Sequence, residues 1–391
     1  SMNRTLPDDE PGGPHEPIRI VGPEIAKLNF KRSDGGLERY PGTQTVVIFR
    51  ANRENPEKSD GRGWTYHHHP ELAVWKGRLY VGWNSCEKDE DTWPSRELLS
   101  TSTDGEHWTP PFNMFPQGVS TPLRMYFFHA PNGRMLVIAG LRVSRERTSE
   151  RTKGPLVVRE IYTDHTLGPV YTLRAPEQAA EGQPPFYETA PDSGFLVACK
   201  QLLGNRLFLE QQDYGNLLPP SERMKWHTLS NWKADEWTLK AAEEFGKALC
   251  FFRRADGTLV AVGKKRWVTI SRDNGITWSQ PVRPPTLITN MGKVWGQRMP
   301  SGQYILAYNP HLQLRYPLVV VTSDDGITFS NMRVLHDEIP EVRYPGSAKS
   351  RGTSYMRGIT LWANDGSRPN DPVWIVYSMN KEEIWMSYLP D

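Results

Sequence analysis

Cysteine is scarce in this chain. The three present, Cys86, Cys199 and Cys250, are widely separated and lack paired metal-ligand spacing. Neither a disulfide framework nor a zinc ribbon is indicated, and all three read as small buried hydrophobes. Long apolar runs are missing too: the longest aliphatic stretch, Leu318 to Val321, is far short of the roughly 18 apolar residues a membrane-spanning helix needs. No charge of one sign dominates, since 47 Lys+Arg face 45 Asp+Glu for a formal charge of +2. That removes the electrostatic case for nucleic acid or a membrane as partner, and any acidic ligand must be recognised locally. Turn chemistry and aromatic surface are what is plentiful. With 32 Gly, 33 Pro and 14 Trp in 391 residues, Gly plus Pro exceeds its average share of roughly 12%, and many turns between large flat side chains point to an all-β protein.

The chain also repeats itself. Ser271-Arg-Asp273-Asn-Gly275-Ile-Thr-Trp278 recurs as Thr322-Ser-Asp324-Asp-Gly326-Ile-Thr-Phe329, and Thr101-Ser-Thr103-Asp104-Gly105-Glu-His-Trp108 is a degenerate third copy with Thr103 at the Asp position. Repeats of roughly 40–50 residues signal propellers. Each copy follows an alternating apolar run; Asp and Gly supply the turn and the aromatic packs the next strand back. On separate blades such carboxylates lie at the rim, so Asp273 and Asp324 are not read as a glycosidase pair. Strand-turn-strand units begin near His69, Met125, Pro185, Ala248, Val294 and Tyr355, and Ile18 to Arg50 holds two or three more strands. The expectation is a single β-propeller over residues 18–391 with seven blades, the seventh built from N-terminal strands and closed by Ile384 to Leu389; six blades is the alternative. Such closure protects sheet edges. Residues 1–17 read as a flexible lead beginning with a cloning remnant, Ser1-Met2. Ser144 to Lys153 reads as a polar mobile loop, and Lys233 to Lys247 as a helical decoration.

In a propeller the first strand of each blade lines the channel, so residues entering those strands converge with the loops that leave the second strands. The former supply Tyr66 to His69, Arg124, Tyr126, Tyr187, Trp295, Gln297, Arg298, Tyr355 and Arg357; the latter supply Asn84, Glu87 to Asp91, Arg142, Lys265, Arg266, Asn309 to His311, Asn380 and Lys381. A funnel rich in Arg, Tyr and His suits an anionic sugar, because bidentate pairing of Arg with carboxylate is strong. In an extended strand His67 and His69 point one way and His68 the other, so at most two share a site. General acid or base work fits a residue titrating near neutrality; a structural role is the alternative, and zinc lacks a second ligand pair. Arg159 is a weaker candidate because Glu160 can pair with it. Glu90 and Asp91 could orient a histidine.

Tyr66-His-His68-His69-Pro70, Trp75-Lys-Gly77-Arg-Leu-Tyr80, Trp83-Asn84, Glu90-Asp91, Gly154 to Ile161, Leu167 to Tyr171, Trp295-Gly-Gln297-Arg298 and Tyr377 to Trp385 carry a family resemblance. They resemble sialidase-like (BNR, Asp-box) β-propellers of the group of L-rhamnose-α-1,4-D-glucuronate lyases, related rhamnosidases and, more distantly, ulvan lyases. The resemblance implies a seven-bladed polysaccharide lyase that cleaves that linkage by β-elimination, releasing rhamnose and leaving an unsaturated uronate. The family histidine maps to His68 or His69 and a family glutamine to Gln297. The chain departs from the pattern where Trp93-Pro94-Ser95-Arg96 follows Glu90-Asp91, and where His67 replaces the common Asn. On this reading Gln297 and Arg298 neutralise the uronate with Arg357 or Arg142 assisting, and Arg159, Tyr355 and Trp295 complete substrate binding. His68, His69 and Tyr126 move the protons. No redox cofactor is required, and calcium or another ion would be structural. The implied partner is an acidic polysaccharide or oligosaccharide with rhamnosyl-glucuronate ends, the implied state a monomer, and the implied location secreted or periplasmic. The alternatives are an α-L-rhamnosidase or other exo-glycoside hydrolase, sialidase included, on the same fold, and a non-catalytic glycan-binding propeller. Against the sialidase, Ile18-Arg19-Ile20-Val21 lacks the usual Arg-Ile-Pro.

Overall fold

The computed structural model describes residues 8–115, 121–142, 155–174, 183–212, 248–359 and 373–390. These residues form five β-sheets, the blades of one all-β propeller, so the expected seven blades, and the alternative of six, are corrected to five. The first blade comprises Tyr66–Trp75, Arg78–Cys86, Ser95–Ser102 and Phe112–Asn113, and the second Thr121–His129, Met135–Arg142, Leu156–Ile161 and Tyr171–Arg174. The third has Cys250–Arg253, Leu259–Val262 and Val268–Ser271; the fourth Trp295–Arg298, Tyr304–Tyr308, Leu318–Ser323 and Thr328–His336. The fifth holds Thr353–Ile359, Val373–Met379 and Glu383–Leu389.

Two misread segments account for the excess. The unit placed at Pro185 is helical: Asp192 caps Ser193–Leu203 by accepting from the Gly194 and Phe195 amides, and a short helix, Arg206–Gln211, follows. Phe195, Ala198, Cys199 and Leu202 recur at helical spacing and bury themselves against Tyr126, Phe128 and Leu136 of the second blade. The N-terminal strands build no blade of their own. Gln44–Arg50 pairs antiparallel with Glu383–Leu389 as the outer strand of the fifth blade, while Arg19–Ile20 adds in parallel to the outer edge of the fourth. The two chain ends therefore meet in one sheet, which closes the ring.

Blade strands are apolar on both faces because each sheet is sandwiched between two others. In the first blade Leu72, Val74, Val81 and Trp83 pack with Trp374, Val376 and Met386 of the fifth; the alternate residues Ala73, Trp75, Tyr80 and Leu99 pack with Met125 and Val137 of the second. All three cysteines are buried and free. No described helix is long and apolar enough to cross a membrane.

The Asp-box turns follow the expected chemistry with a shifted register. Asp273 Oδ1 accepts from the Thr277 amide at 2.8 Å, and Ser271 Oγ accepts from the Gly275 amide at 2.8 Å. Asp325, not Asp324, plays that part in the second copy, accepting from the Ile327 and Thr328 amides. In the third copy Asp104 accepts from Glu106 and His107. Aligned on Ser102, Ser271 and Ser323, all three boxes therefore carry the Asp, and the middle one has an extra residue, Asn274, at φ 60°.

Candidate active site

Three inner strands break register at the same level. His68 pairs with Asn84 and Glu71 with Gly82; Pro122 pairs with Leu141 and Met125 with Ala139; Ser354 pairs with Ser378 and Arg357 with Val376. Each time three steps on the inner strand match two on its neighbour, which is a bulge. The backbone turns left-handed at His69 (φ 55°) and Tyr355 (φ 54°), a conformation that costs a non-glycine residue about 1–3 kcal/mol and gathers at functional sites. The bulges bring side chains from separate blades together: the Tyr355 ring lies 4.4 Å from His68 and 4.7 Å from His69. His68 and His69, expected on opposite sides of an even strand, meet at 4.3 Å because the bulge intervenes. His67 is the histidine turned away. Its Nε2 bonds to the Trp64 carbonyl at 2.8 Å and its Nδ1 accepts from Trp83 Nε1 at 3.0 Å, which fixes a neutral tautomer.

Cations surround this aromatic cluster. Arg124 Nη2 stands 3.3 Å from His69 Nε2, and Glu90 Oε1 is 3.4 Å from the same nitrogen. The Lys293 and Lys264 ammonium groups lie 5.2 and 6.0 Å from the Tyr355 ring centre. Arg315 donates to Ser354 Oγ at 3.1 Å, and Lys381 to the Ala348 carbonyl at 2.6 Å. Neither Arg315 nor Lys381 has an ion-pair partner among the described residues. Burial drives His68 well below its usual range, and His69, Lys381, Arg315 and Arg124 add to that through their charge. Burial likewise lowers Arg315 and Lys381.

Buried polar groups without protein partners collect in the same place. Among the described residues neither ring nitrogen of His68 finds one, nor does the Tyr66 hydroxyl, and their rings are 5.8 Å apart. Across the strands from His68, Glu97 accepts from Asn84 Nδ2 at 2.9 Å through Oε1 while Oε2 has no partner among the described residues; burial raises this carboxyl well above its usual range. Orphaned polar groups are rare in protein interiors and require an explanation. An ordered water or a polar ligand over the first blade would supply one.

Further along the channel, Glu71 Oε1 accepts from Arg357 Nε at 2.9 Å and lies 3.9 Å from Lys293 Nζ. Arg357 also donates to Gln212 Oε1 at 3.3 Å and its Cζ sits 5.0 Å from the Trp295 ring centre. Arg357 is thus an interior cation already answered by a carboxylate.

Other expected site residues are scattered. Tyr126 is buried in the core shared by the second blade and the helices. Arg159 donates to the Gly168 and Met114 carbonyls, and Glu160 pairs with Arg134 at 3.0 Å instead. Trp295 donates to Gln297 Oε1 at 3.0 Å. Arg298 ends the inner strand of the fourth blade beside the hairpin turn, where Nε donates to the Gly302 carbonyl, whereas the cluster occupies the opposite, entering end. The Arg142 side chain, the Ser144 to Lys153 loop and the Lys233 to Lys247 stretch lie outside the described residues. Lys293, Lys264 and Arg315 escaped the sequence reading although a signal existed: Lys293 enters an inner strand, Lys264 adjoins Lys265, and Arg315 sits four residues beyond His311 in a second-strand exit loop. For a metal, Asp104, Glu106 and His107 offer ligand atoms within 4.8 Å of one another on an exposed Asp-box turn. They fit a structural cation and are not part of the cluster.

Two family models match the chain: "BT_1020-like, N-terminal beta propeller" over residues 16–123 and 119–214, and "BNR repeat-like domain" over residues 220–356. A solved structure named "Sialidase" is 30% identical with a TM-score of 0.79; the match covers 95% of this chain and 35% of that one. The chain therefore spans about a third of that protein's length. A protein of unknown function from Dyadobacter fermentans (14% identity, TM-score 0.53, 90% of this chain and 99% of that one) shares the fold. So does the Trypanosoma rangeli sialidase (10%, 0.50, 89% and 60%). Among curated proteins none matches. The lyase expectation is overturned, because the protein that is alike across 95% of the chain is named a sialidase and not a rhamnose–glucuronate lyase. With it go β-elimination and the rhamnosyl-glucuronate glycan as partner. The motifs behind that expectation report the propeller, and a fold shared by several chemistries does not select among them.

Proposed function

Since this chain belongs to the sialidase-like BNR/Asp-box β-propellers, in the family of the BT_1020-like N-terminal beta propeller, we propose that it is an exo-acting glycoside hydrolase removing a terminal sialic-acid-type sugar, one with a carboxylate on its anomeric carbon. The observation that carries this reading is the ring of Arg124, Lys264, Lys293, Arg315 and Lys381 around Tyr355, His68 and His69. Several cations in a partly dry cleft bind a carboxylate far more strongly than they would in water. Hydrolysis at such a centre then needs a proton for the departing oxygen. Glu90, on the rim and beside His69, is placed to give it. Arg315, Lys293 and Arg124 hold the carboxylate, His68 and Tyr66 offer their unpartnered polar atoms to ring hydroxyls, and Tyr355 faces the anomeric carbon. A glycan-hydrolysing role also supports a secreted or periplasmic location.

The test is fluorescence release from methylumbelliferyl glycosides of N-acetylneuraminate, of glucuronate and of neutral hexoses. Release from the N-acetylneuraminate glycoside and not from the glucuronide or the neutral hexosides, with Arg315→Ala lowering kcat/KM about 10²–10³-fold, is the expected result. Equal release from neutral hexosides would refute the carboxylate assignment. Tight binding of the acidic sugars without release would make the protein a glycan-binding propeller.

A further inference from the structure

A cavity of about 460 Å³ opens between the third and fourth blades, lined by Phe251, Phe252, Arg253, Arg254, Gln297 and Arg298 together with the turn residues Ala255 and Gly257. Its volume lies in the range of small-ligand sites. It adjoins the hairpin turns, at the opposite end of the inner strands from the histidine cluster, so the two sites do not share residues. Three guanidinium groups line it and none has a carboxylate within ion-pair distance among the described residues. Arg254 is buried and spends its donors on backbone carbonyls, Gly326 at 3.1 Å, Gly12 at 2.7 Å and Pro17. Burial pulls it down to about 10, which leaves it charged at neutral pH. The carboxylates that act on Arg254, Asp256 and Asp325, are committed to their own turns: Asp256 accepts from the Thr258 amide at 2.9 Å, and Asp325 from the Ile327 and Thr328 amides.

The two other arginines are exposed and only partly engaged. Arg253 donates to the Gly257 carbonyl and to Asn274 Oδ1. Arg298 donates through Nε to Gly302, and its Cζ lies 5.5 Å from the Tyr304 ring centre; its two terminal nitrogens have no partner among the described residues. Phe251 is half-buried and stacked on Trp278, with ring centres 5.5 Å apart and planes at 27°. A planar fork of donors and an aromatic face are the parts that recognise a carboxylated sugar ring. We propose that this cavity is a second subsite that takes a carboxylated sugar residue of a polymeric glycan, with Arg298 and Arg253 on the carboxylate and Phe251 against the ring. That the occupant is a glycan rests on the glycosidase reading; that it is an anion rests on the three unanswered guanidinium groups. Two weak sites on one polymer raise the effective concentration of the substrate at the first.

The experiment is calorimetric titration of the full chain with a galacturonic acid trimer and with a neutral glucose trimer. Arg298→Ala, Arg253→Ala and, at the other end of the channel, Lys293→Ala are compared with the wild type, and urea midpoints show that each variant is folded. The expected result is binding of the acidic trimer alone, weakened about 10-fold or more by either arginine substitution. After Lys293→Ala the component lost in Arg298→Ala persists. Equal binding by Arg298→Ala and the wild type, equal binding of the neutral trimer, or no binding at millimolar trimer would each overturn the subsite. Trimer binding that depends on Arg298, in a protein that releases no acidic glycoside, would sustain the subsite and defeat the glycosidase reading. The reverse pattern would do the opposite.

Discussion

The first blade makes stability depend on acid in a way that can be computed. His67 is wholly buried, its Nδ1 already accepts from Trp83 and its Nε2 proton goes to the Trp64 carbonyl. A second proton would break the Trp83 bond and place a charge in the core. Burial accordingly holds His67 at about 4, against 6.5 in an unfolded chain. Between those values the unfolded chain binds a proton at this position and the fold does not, so stability falls as pH falls through the window. Above 6.5 the group contributes no slope, and below 4 the loss is complete. At about 1.4 kcal/mol per pH unit the full loss is about 3 kcal/mol. His68, also fully buried and lowered further by the cations around it, adds in the same direction. Replacing His67 by glutamine retains a donor for Trp64 and an acceptor for Trp83 but cannot titrate. Urea unfolding at pH 7.0, 6.0, 5.0 and 4.5 should show His67→Gln losing stability less steeply than the wild type, by up to about 1.4 kcal/mol per pH unit. Parallel curves would refute the assignment of the proton to His67, whatever the offset between them.

Three further outcomes follow from the geometry. Arg357→Met should cost about 3 kcal/mol, at the low end for a broken buried pair because Lys293 remains 3.9 Å from Glu71; in a double-mutant cycle Arg357→Met with Glu71→Gln should cost less than the sum of the two. Gly105 and Gly77 both sit at positive φ, +80° and +76°, yet a Cβ on Gly105 would lie 2.4 Å from Trp374 Cη2 and one on Gly77 meets nothing. Gly77→Ala should therefore cost about 1 kcal/mol and Gly105→Ala about 2 kcal/mol more, read as thermal unfolding shifts. Glu90→Gln should lower kcat about 10²–10⁴-fold on an alkyl glycoside and much less on an aryl glycoside, whose leaving group needs little protonation; an equal loss on both would remove Glu90 from the acid role.

Much of the architecture was readable because turns and strands declare themselves locally. The Asp-box residues Ser271, Asp273, Gly275 and Trp278 form one hydrogen-bonded turn that needs nothing beyond its own eight positions, and that is why it survives as a sequence signal. Blade number does not have this property. It depends on whether Phe195-Leu-Val-Ala-Cys199 lies in a strand or a helix, and the apolar run fits both periods until the Asp192 cap and the spacing to Leu202 are weighed. It depends equally on Gln44–Arg50 choosing Glu383–Leu389 as its partner across more than 330 residues, a choice governed by ring closure and not by local pattern.

The site was legible in composition and illegible in placement for a related reason. A funnel rich in Arg, Tyr and His could be inferred from the residues that enter each blade, and His68, His69 and Tyr355 do meet there. What decides which residues meet is a set of bulges, each one extra residue, and a strand with an inserted residue shows no lasting change in its pattern. Alternation counted across His67, His68 and His69 therefore pairs the wrong two rings, and the bulge at His69 restores the pair by turning the backbone to φ 55°. The same counting put Gln297 and Arg298 at the mouth, since a strand of four residues, Trp295–Arg298, is short enough that its first and last members look interchangeable from sequence. They are separated by about 10 Å of strand. That distance carries Arg298 from the histidine end of the channel to the turn end, and Lys293, two residues before Trp295, takes the position that the arginine was expected to hold.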